Sequence, residues 1–115
     1  MRNKSDVLRG TLDLMILKAL DAMGPLHGYA IARRIEQVSG QQLAINQGTI
    51  YPALVKLSRR RWIATKWGQS TTGRRVKFYA ITDKGRTQLH EEEEEWQRAA
   101  GIIAKFFRLP RSQSL

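Results

Sequence analysis

Between Glu36 and Asp83 the chain has no acidic residue, yet that interval carries Lys56, Arg59, Arg60, Arg61, Lys66, Arg74, Arg75 and Lys77. Gln47, Thr49 and Tyr51 precede the first of these, with amide and hydroxyl groups that can hydrogen-bond base edges or phosphates. The chemistry this pattern suits is binding a polyanion, not breaking a bond. His27 and His90 are the only 2 histidines, there is no cysteine, and no nucleophile–base pair is suggested. No metal site and no cofactor are expected, and the loop 68–73 lacks the lysine of a P-loop. Across 115 residues the formal charge is +10, from 20 Lys+Arg against 10 Asp+Glu. Half of the acids sit together at Glu91–Glu95, outside the basic interval. That segregation argues against a generally basic, solubilising surface and for one polyanion-binding region.

The elements that must position these residues follow from periodicity. A first helix is expected from about Leu8 to Met23, capped by Thr11, with Asp13 suiting the positive end of its dipole. Leu14 and Leu17 widen its apolar stripe, so it is either central to its own core or also touches another subunit. Gly24-Pro25 stops it. A second helix runs from Gly28 to about Val38, with His27 expected to help cap it. A third runs from Gln47 to about Arg60, capped by Asn46 and buried through Ile50, Ala53, Leu54 and Leu57. Trp62–Trp67 and Arg75–Ile81 have strand composition and flank the loop 68–73, which makes a hairpin. Thr82-Asp83 then opens a long helix to about Arg108, ended before Pro110. Three helices and a two-stranded ribbon make a winged helix-turn-helix. The fold class is mainly α with a small β-hairpin, comprising a DNA-binding unit over residues 8–82 and a C-terminal dimerisation helix over 83–109. Residues 1–7 and 110–115 are expected to be flexible tails.

On the third helix, Asn46, Gln47 and Thr49 occupy the N-terminal turn, where the helix dipole favours phosphate. Gln47 suits an adenine edge. Arg74, Arg75 and Lys77 lie at or just beyond the hairpin loop, where they can reach phosphates or a minor groove.

Three stretches carry a family resemblance: Gly24-Pro25-Leu26-His27-Gly28-Tyr29-Ala30-Ile31, Gly48-Thr49-Ile50-Tyr51-Pro52-Ala53-Leu54-Val55-Lys56-Leu57, and Gly73 to Gly85. Over about Leu8 to Leu89 the chain is similar to the PadR family of transcriptional regulators. The resemblance implies a bacterial repressor that binds a palindromic operator in double-stranded DNA as a homodimer, often released by a small molecule. It implies DNA contact by Thr49, Tyr51, Lys56, Arg74, Arg75 and Lys77. Tyr29 either touches the DNA backbone or packs. The chain departs from the family pattern at Ser58-Arg59-Arg60-Arg61-Trp62, where relatives carry acidic residues and a glycine. The geometry of that turn and the use of the arginine run stay open.

Leu89, Trp96, Ile103 and Phe106 recur along the last helix at roughly heptad spacing. With Leu14 and Leu17 of the first helix they form the expected dimer surface. Trp96 either packs in that seam or lines a pocket for a small aromatic ligand. Glu91–Glu95 reads as a solvated face. No apolar run approaches a membrane span, and the missing cysteines fit a cytoplasmic protein. A winged helix that binds RNA, or one that docks a protein partner, remains the alternative.

Overall fold

The computed structural model describes the backbone of residues 4–112 and the side chains of 11–112. The elements in chain order are α1 (Lys4–Met23), β1 (Leu26–His27), α2 (Gly28–Val38), α3 (Gln47–Arg59), β2 (Ile63–Gln69), β3 (Arg75–Ile81) and α4 (Asp83–Phe107). This is the expected winged helix with a long last helix.

The core forms where the apolar stripes of the first three helices meet the base of the sheet. Ile16, Leu17 and Leu20 of α1 pack with Ile31 and Ile35 of α2, Ile50, Leu54 and Leu57 of α3, and Ile63, Tyr79, Ile81 and Leu89. Full burial of each large aliphatic side chain contributes roughly 1.5–3 kcal/mol, so this cluster holds α3 rigidly by its inner face. α1 is the central helix, packing against α2, α3, α4 and β3. Leu17 is therefore not part of a dimer surface: it is 0% exposed within its own protomer. Leu89 is likewise buried beneath the start of α4. Leu14 is only half-buried.

Two further expectations change. α1 begins at Lys4, so Thr11 and Asp13 lie inside the helix rather than in its first turn. Lys4 to Arg9 contains no proline or glycine to prevent this. Residues 4–7 are thus helical, not a tail, whereas 1–3 and 113–115 lie outside the described residues. The sheet also has three strands in the order β1-β3-β2, because Leu26 and His27 pair antiparallel with Tyr79 and Phe78. β1 has only 2 residues, too few to show alternation in sequence.

The caps set the remaining boundaries. Asn46 Oδ1 accepts from the Thr49 N–H at 3.0 Å, and His27 Nδ1 accepts from the Ala30 N–H at 3.2 Å. At the C-terminus of α3 the Trp62 N–H reaches Leu57 O at 3.1 Å and the Arg61 N–H reaches Ser58 O at 3.0 Å. That pair of bonds is a Schellman motif, which puts Arg61 where a glycine normally sits. Arg61 accordingly has φ 63°. The turn keeps its left-handed geometry despite carrying an arginine.

α4 is tied to this turn. Thr82 donates its N–H to Trp62 O at 3.0 Å and its hydroxyl to Arg61 O at 2.7 Å. The same hydroxyl accepts from the Gly85 N–H at 3.0 Å, capping α4. Gly85 allows this closeness, since a Cβ there would stand 2.0 Å from the Trp62 carbonyl oxygen. Arg86 adds ion pairs to Asp21 of α1 at 3.1 Å and to Asp83 at 3.0 Å. Beyond Leu89, the 25-residue α4 leaves the core and projects, giving a molecule 68 Å in its longest dimension and 27 Å in the next.

Candidate nucleic-acid interface

Three elements build the candidate surface: the exposed side of α3, the start of α2 and the β2–β3 wing. On α3, Gln47, Thr49 and Tyr51 are exposed, as expected of groove-facing residues. Asn46, Thr49, Tyr51 and Lys56 each have an intramolecular partner as well. The Thr49 hydroxyl donates to Asn46 Oδ1 at 3.1 Å, which strengthens the cap and leaves the hydroxyl oxygen free to accept. Asn46 itself is exposed, with its carbonyl oxygen committed to that cap. The Tyr51 ring lies where a Cβ on Gly28 would be, 2.9 Å from its nearest ring carbon, so α2 and α3 touch there because Gly28 has no side chain. Lys56 Nζ sits 2.6 Å from Asp13 Oδ2 of α1. Asp13, expected to answer a helix dipole, is instead a half-buried anchor for α3. Tyr29 is exposed at the start of α2 and stacks on His27 at 6.4 Å, while His27 meets Phe78 of β3 edge-on at 5.8 Å.

The wing is organised by its register. Trp67 pairs with Lys77 and Gln69 with Arg75 across β2 and β3. Because side chains alternate along a strand, Trp67, Arg75, Lys77 and Tyr79 share one sheet face, whose inner end is buried at Tyr79 and Ile81. The Arg75 guanidinium lies 4.6 Å and the Lys77 ammonium 5.8 Å from the Trp67 ring centroid. Such cation–π contacts are worth about 0.5–1 kcal/mol at an exposed site and hold both cations over one platform. At the tip, Ser70 N–H donates to Arg74 O at 2.8 Å and Gly73 N–H to Ser70 O at 2.9 Å, with Gly73 at φ 83°. Arg74 is exposed beside this turn. Burial, and secondarily the neighbouring Tyr51 phenol, push the Tyr79 hydroxyl above the usual tyrosine range.

The structure thus brings Gln47, Thr49, Tyr51, Tyr29 and the wing cations onto adjoining elements, and gives Lys56 a second task. The sequence reading missed the role of Trp67, whose signal was strand alternation against Lys77 and Arg75. Arg60, part of the arginine run whose use the sequence left open, stacks on Trp62 at 5.0 Å. Among the described residues no group of His, Asp or Glu could hold a metal ion, and no helix is long and apolar enough to cross a membrane.

Solved structures similar to this chain include transcriptional regulators. The chain is similar to a regulator from Clostridium thermocellum, with 32% identity, a TM-score of 0.78, and coverage of 88% of this chain and 97% of that one. A PadR-like regulator from Bacillus cereus matches at 25% identity and a TM-score of 0.78, over 91% and 99% of the two chains. Protein X of Lysinibacillus sphaericus is 30% identical over 90% of this chain and 94% of its own length. A 37.1 kDa protein from a Streptomyces fradiae transposon is 39% identical over 78% of this chain, which spans 24% of that relative. Fold, surface and these relatives together define a DNA-binding transcriptional regulator. Residues 16–91 match the transcriptional regulator PadR-like family, and the chain belongs to that family.

Proposed function

We propose that the protein is a cytoplasmic homodimeric repressor that binds a palindromic operator. Residues 8–82 form the reading unit. α3 enters the major groove with Gln47, Thr49 and Tyr51 at its leading end, Asn46 caps it, and Lys56 contacts phosphate by exchanging Asp13 for the DNA. Arg74, Arg75 and Lys77 reach the flanking backbone or minor groove, and Tyr29 touches the backbone from α2. Residues 83–109 supply the dimer contact.

One observation carries the dimer reading. Beyond Leu89 the large apolar side chains of α4 are half or more exposed within the protomer: Trp96 is 57% exposed, Ile103 51% and Phe106 66%. A contiguous apolar stripe of that size on a projecting helix needs a partner. A second copy with two-fold symmetry would set two recognition helices about one DNA turn apart. Leu14, half-buried on α1, borders the remaining apolar face of that helix and joins the seam.

The exposure of Trp96 also suits a flat aromatic ligand held between the two α4 helices, the binding of which would relieve repression. Quenching of tryptophan fluorescence by planar aromatics, lost in Trp96→Ala, supports that effector site. Absence of quenching removes it and leaves Trp96 a seam residue.

The function is tested by titrating a random duplex, a recovered palindrome and a structured RNA at several salt concentrations, alongside sedimentation. Specific binding should exceed non-specific binding by roughly 10³-fold or more at physiological salt. Equal affinities for the two duplexes, or only monomer at micromolar concentration, would overturn the repressor reading. Preference for RNA would favour the RNA-binding alternative.

A further inference from the structure

The residues expected to read DNA lie on the shoulders of α3, not on its crest. The buried stripe is Ile50, Ala53, Leu54 and Leu57. With 3.6 residues per turn, the line diametrically opposite runs through Gly48, Pro52, Val55 and Arg59, at i, i+4, i+7 and i+11. All four are exposed. Thr49, Tyr51 and Lys56 flank this line, each bound to something within the protomer: Asn46 Oδ1, the face of Gly28 and the Asp13 carboxylate. A helix lying in the major groove meets the base edges with its crest and the phosphate walls with its shoulders.

The composition of that crest is specific. Gly48 and Pro52 project no polar group, which lets the backbone come close to the floor of the groove. Val55 follows, a branched aliphatic side chain left 48% exposed in the middle of a solvent-facing line. About half of it stays open to solvent, and an apolar surface there suits the one apolar group on the groove floor, the 5-methyl of thymine. Arg59 ends the line with a guanidinium fork that matches the O6 and N7 acceptors of guanine.

We infer that Val55 and Arg59 are the specificity-determining pair of the recognition helix, Val55 reading a thymine methyl and Arg59 a guanine. Four residues of helix separate them by about 6 Å, so the two bases lie roughly two base pairs apart in each half-site. The shoulders and the wing supply phosphate contacts and set the register. This inference rests on the DNA-binding reading and adds which bases are read and by which side chains.

The test begins with the operator recovered from a random duplex pool. Each thymine of a half-site is replaced in turn by deoxyuridine, which removes only the methyl. The wild-type protein should lose roughly fourfold in affinity at one thymine, the equivalent of one buried methyl group. Val55→Ala should bind the thymine and deoxyuridine duplexes equally at that position while melting like the wild type. Arg59→Gln should lose tenfold or more of its preference for a guanine about two base pairs away. Methyl discrimination that survives in Val55→Ala overturns the inference. So does Arg59→Gln weakening all duplexes uniformly with a shallower salt dependence, which marks a phosphate contact. Failure to recover any preferred sequence would instead refute the regulator reading itself, so the two failures are distinguishable.

Discussion

Gly85→Ala and Gly101→Ala are the same substitution in the same helix, and the structure predicts opposite signs for them. A Cβ at Gly85 would stand 2.0 Å from the Trp62 carbonyl oxygen and 2.9 Å from Ile81 Cγ1. Trp62 O is backbone in a turn closed by the Schellman bonds, so it cannot swing aside as a side-chain end would. α4 must back away from the turn instead, weakening the Thr82 N–H bond to Trp62 O at 3.0 Å and the Thr82 hydroxyl bond to Arg61 O at 2.7 Å. Overpacking of this kind costs about 1–3 kcal/mol and each lost bond about 1 kcal/mol. Alanine returns about 1 kcal/mol of helix propensity, leaving a net loss of about 2–4 kcal/mol. At about 4–8 °C per kcal/mol the midpoint falls by about 10–25 °C. At Gly101 a Cβ meets nothing within 4 Å, so Gly101→Ala should gain about 0.5–1 kcal/mol. Thermal and urea melts at a fixed protomer concentration measure both, because the midpoint of the proposed dimer would depend on concentration. If Gly85→Ala melts at or above the wild type, the close approach of α4 to the α3–β2 turn is wrong.

Arg61→Gly should stabilise the protein by about 0.5–1 kcal/mol in the same melts, since it removes a side chain from a residue held at φ 63°. Trp67→Ala should weaken operator binding roughly three- to tenfold with an unchanged salt slope, because Arg75 and Lys77 lose their platform but keep their charge. Arg75→Ala should instead make that slope shallower by about one contact. Tyr79 is raised in the folded state, so the unfolded chain ionises first as pH rises. Its contribution is fully present below the ordinary tyrosine value of about 10 and is lost above it, as pH rises through the folded value. Tyr79→Phe should therefore flatten the fall in stability of alkaline melts, and an identical fall in both proteins would rule this group out.

Much of this architecture is written in local signals. Asn46 and Thr82 cap the helices they precede, and His27 accepts the Ala30 N–H as its position before Gly28 suggests. Apart from the start of α1, which lies four residues before the expected Leu8, hairpin and helix bounds fall within a residue or two, because turn and cap chemistry is decided by neighbours in sequence. What was not legible depends on contacts distant along the chain. Leu17 and Leu89 belong to apolar stripes that run through the core and out of it, and periodicity does not say where the core ends. Lys56 looks like any exposed cation until Asp13 is brought within 2.6 Å of it. Trp67 becomes a platform only once the register sets it across from Lys77.

The arginine run shows why such distant contacts matter for function. In the family pattern the turn after the recognition helix carries a glycine, the residue its left-handed geometry favours. Here Arg61 holds that geometry, at a cost of about 1–2 kcal/mol for an L residue. Its carbonyl accepts the Thr82 hydroxyl, and the next carbonyl, Trp62 O, accepts the Thr82 N–H. The turn is therefore the joint between α3 and α4, the helix proposed to read DNA and the helix proposed to pair. A strained residue at that joint is tolerated because bonds from both sides over-determine its conformation. Arg59, on the crest of α3, and Arg60, stacked on Trp62, place two further cations around the same joint without any acid nearby in sequence. The strain at Arg61 thus sits where α3 and α4 are tied together, at the end of a run of three arginines.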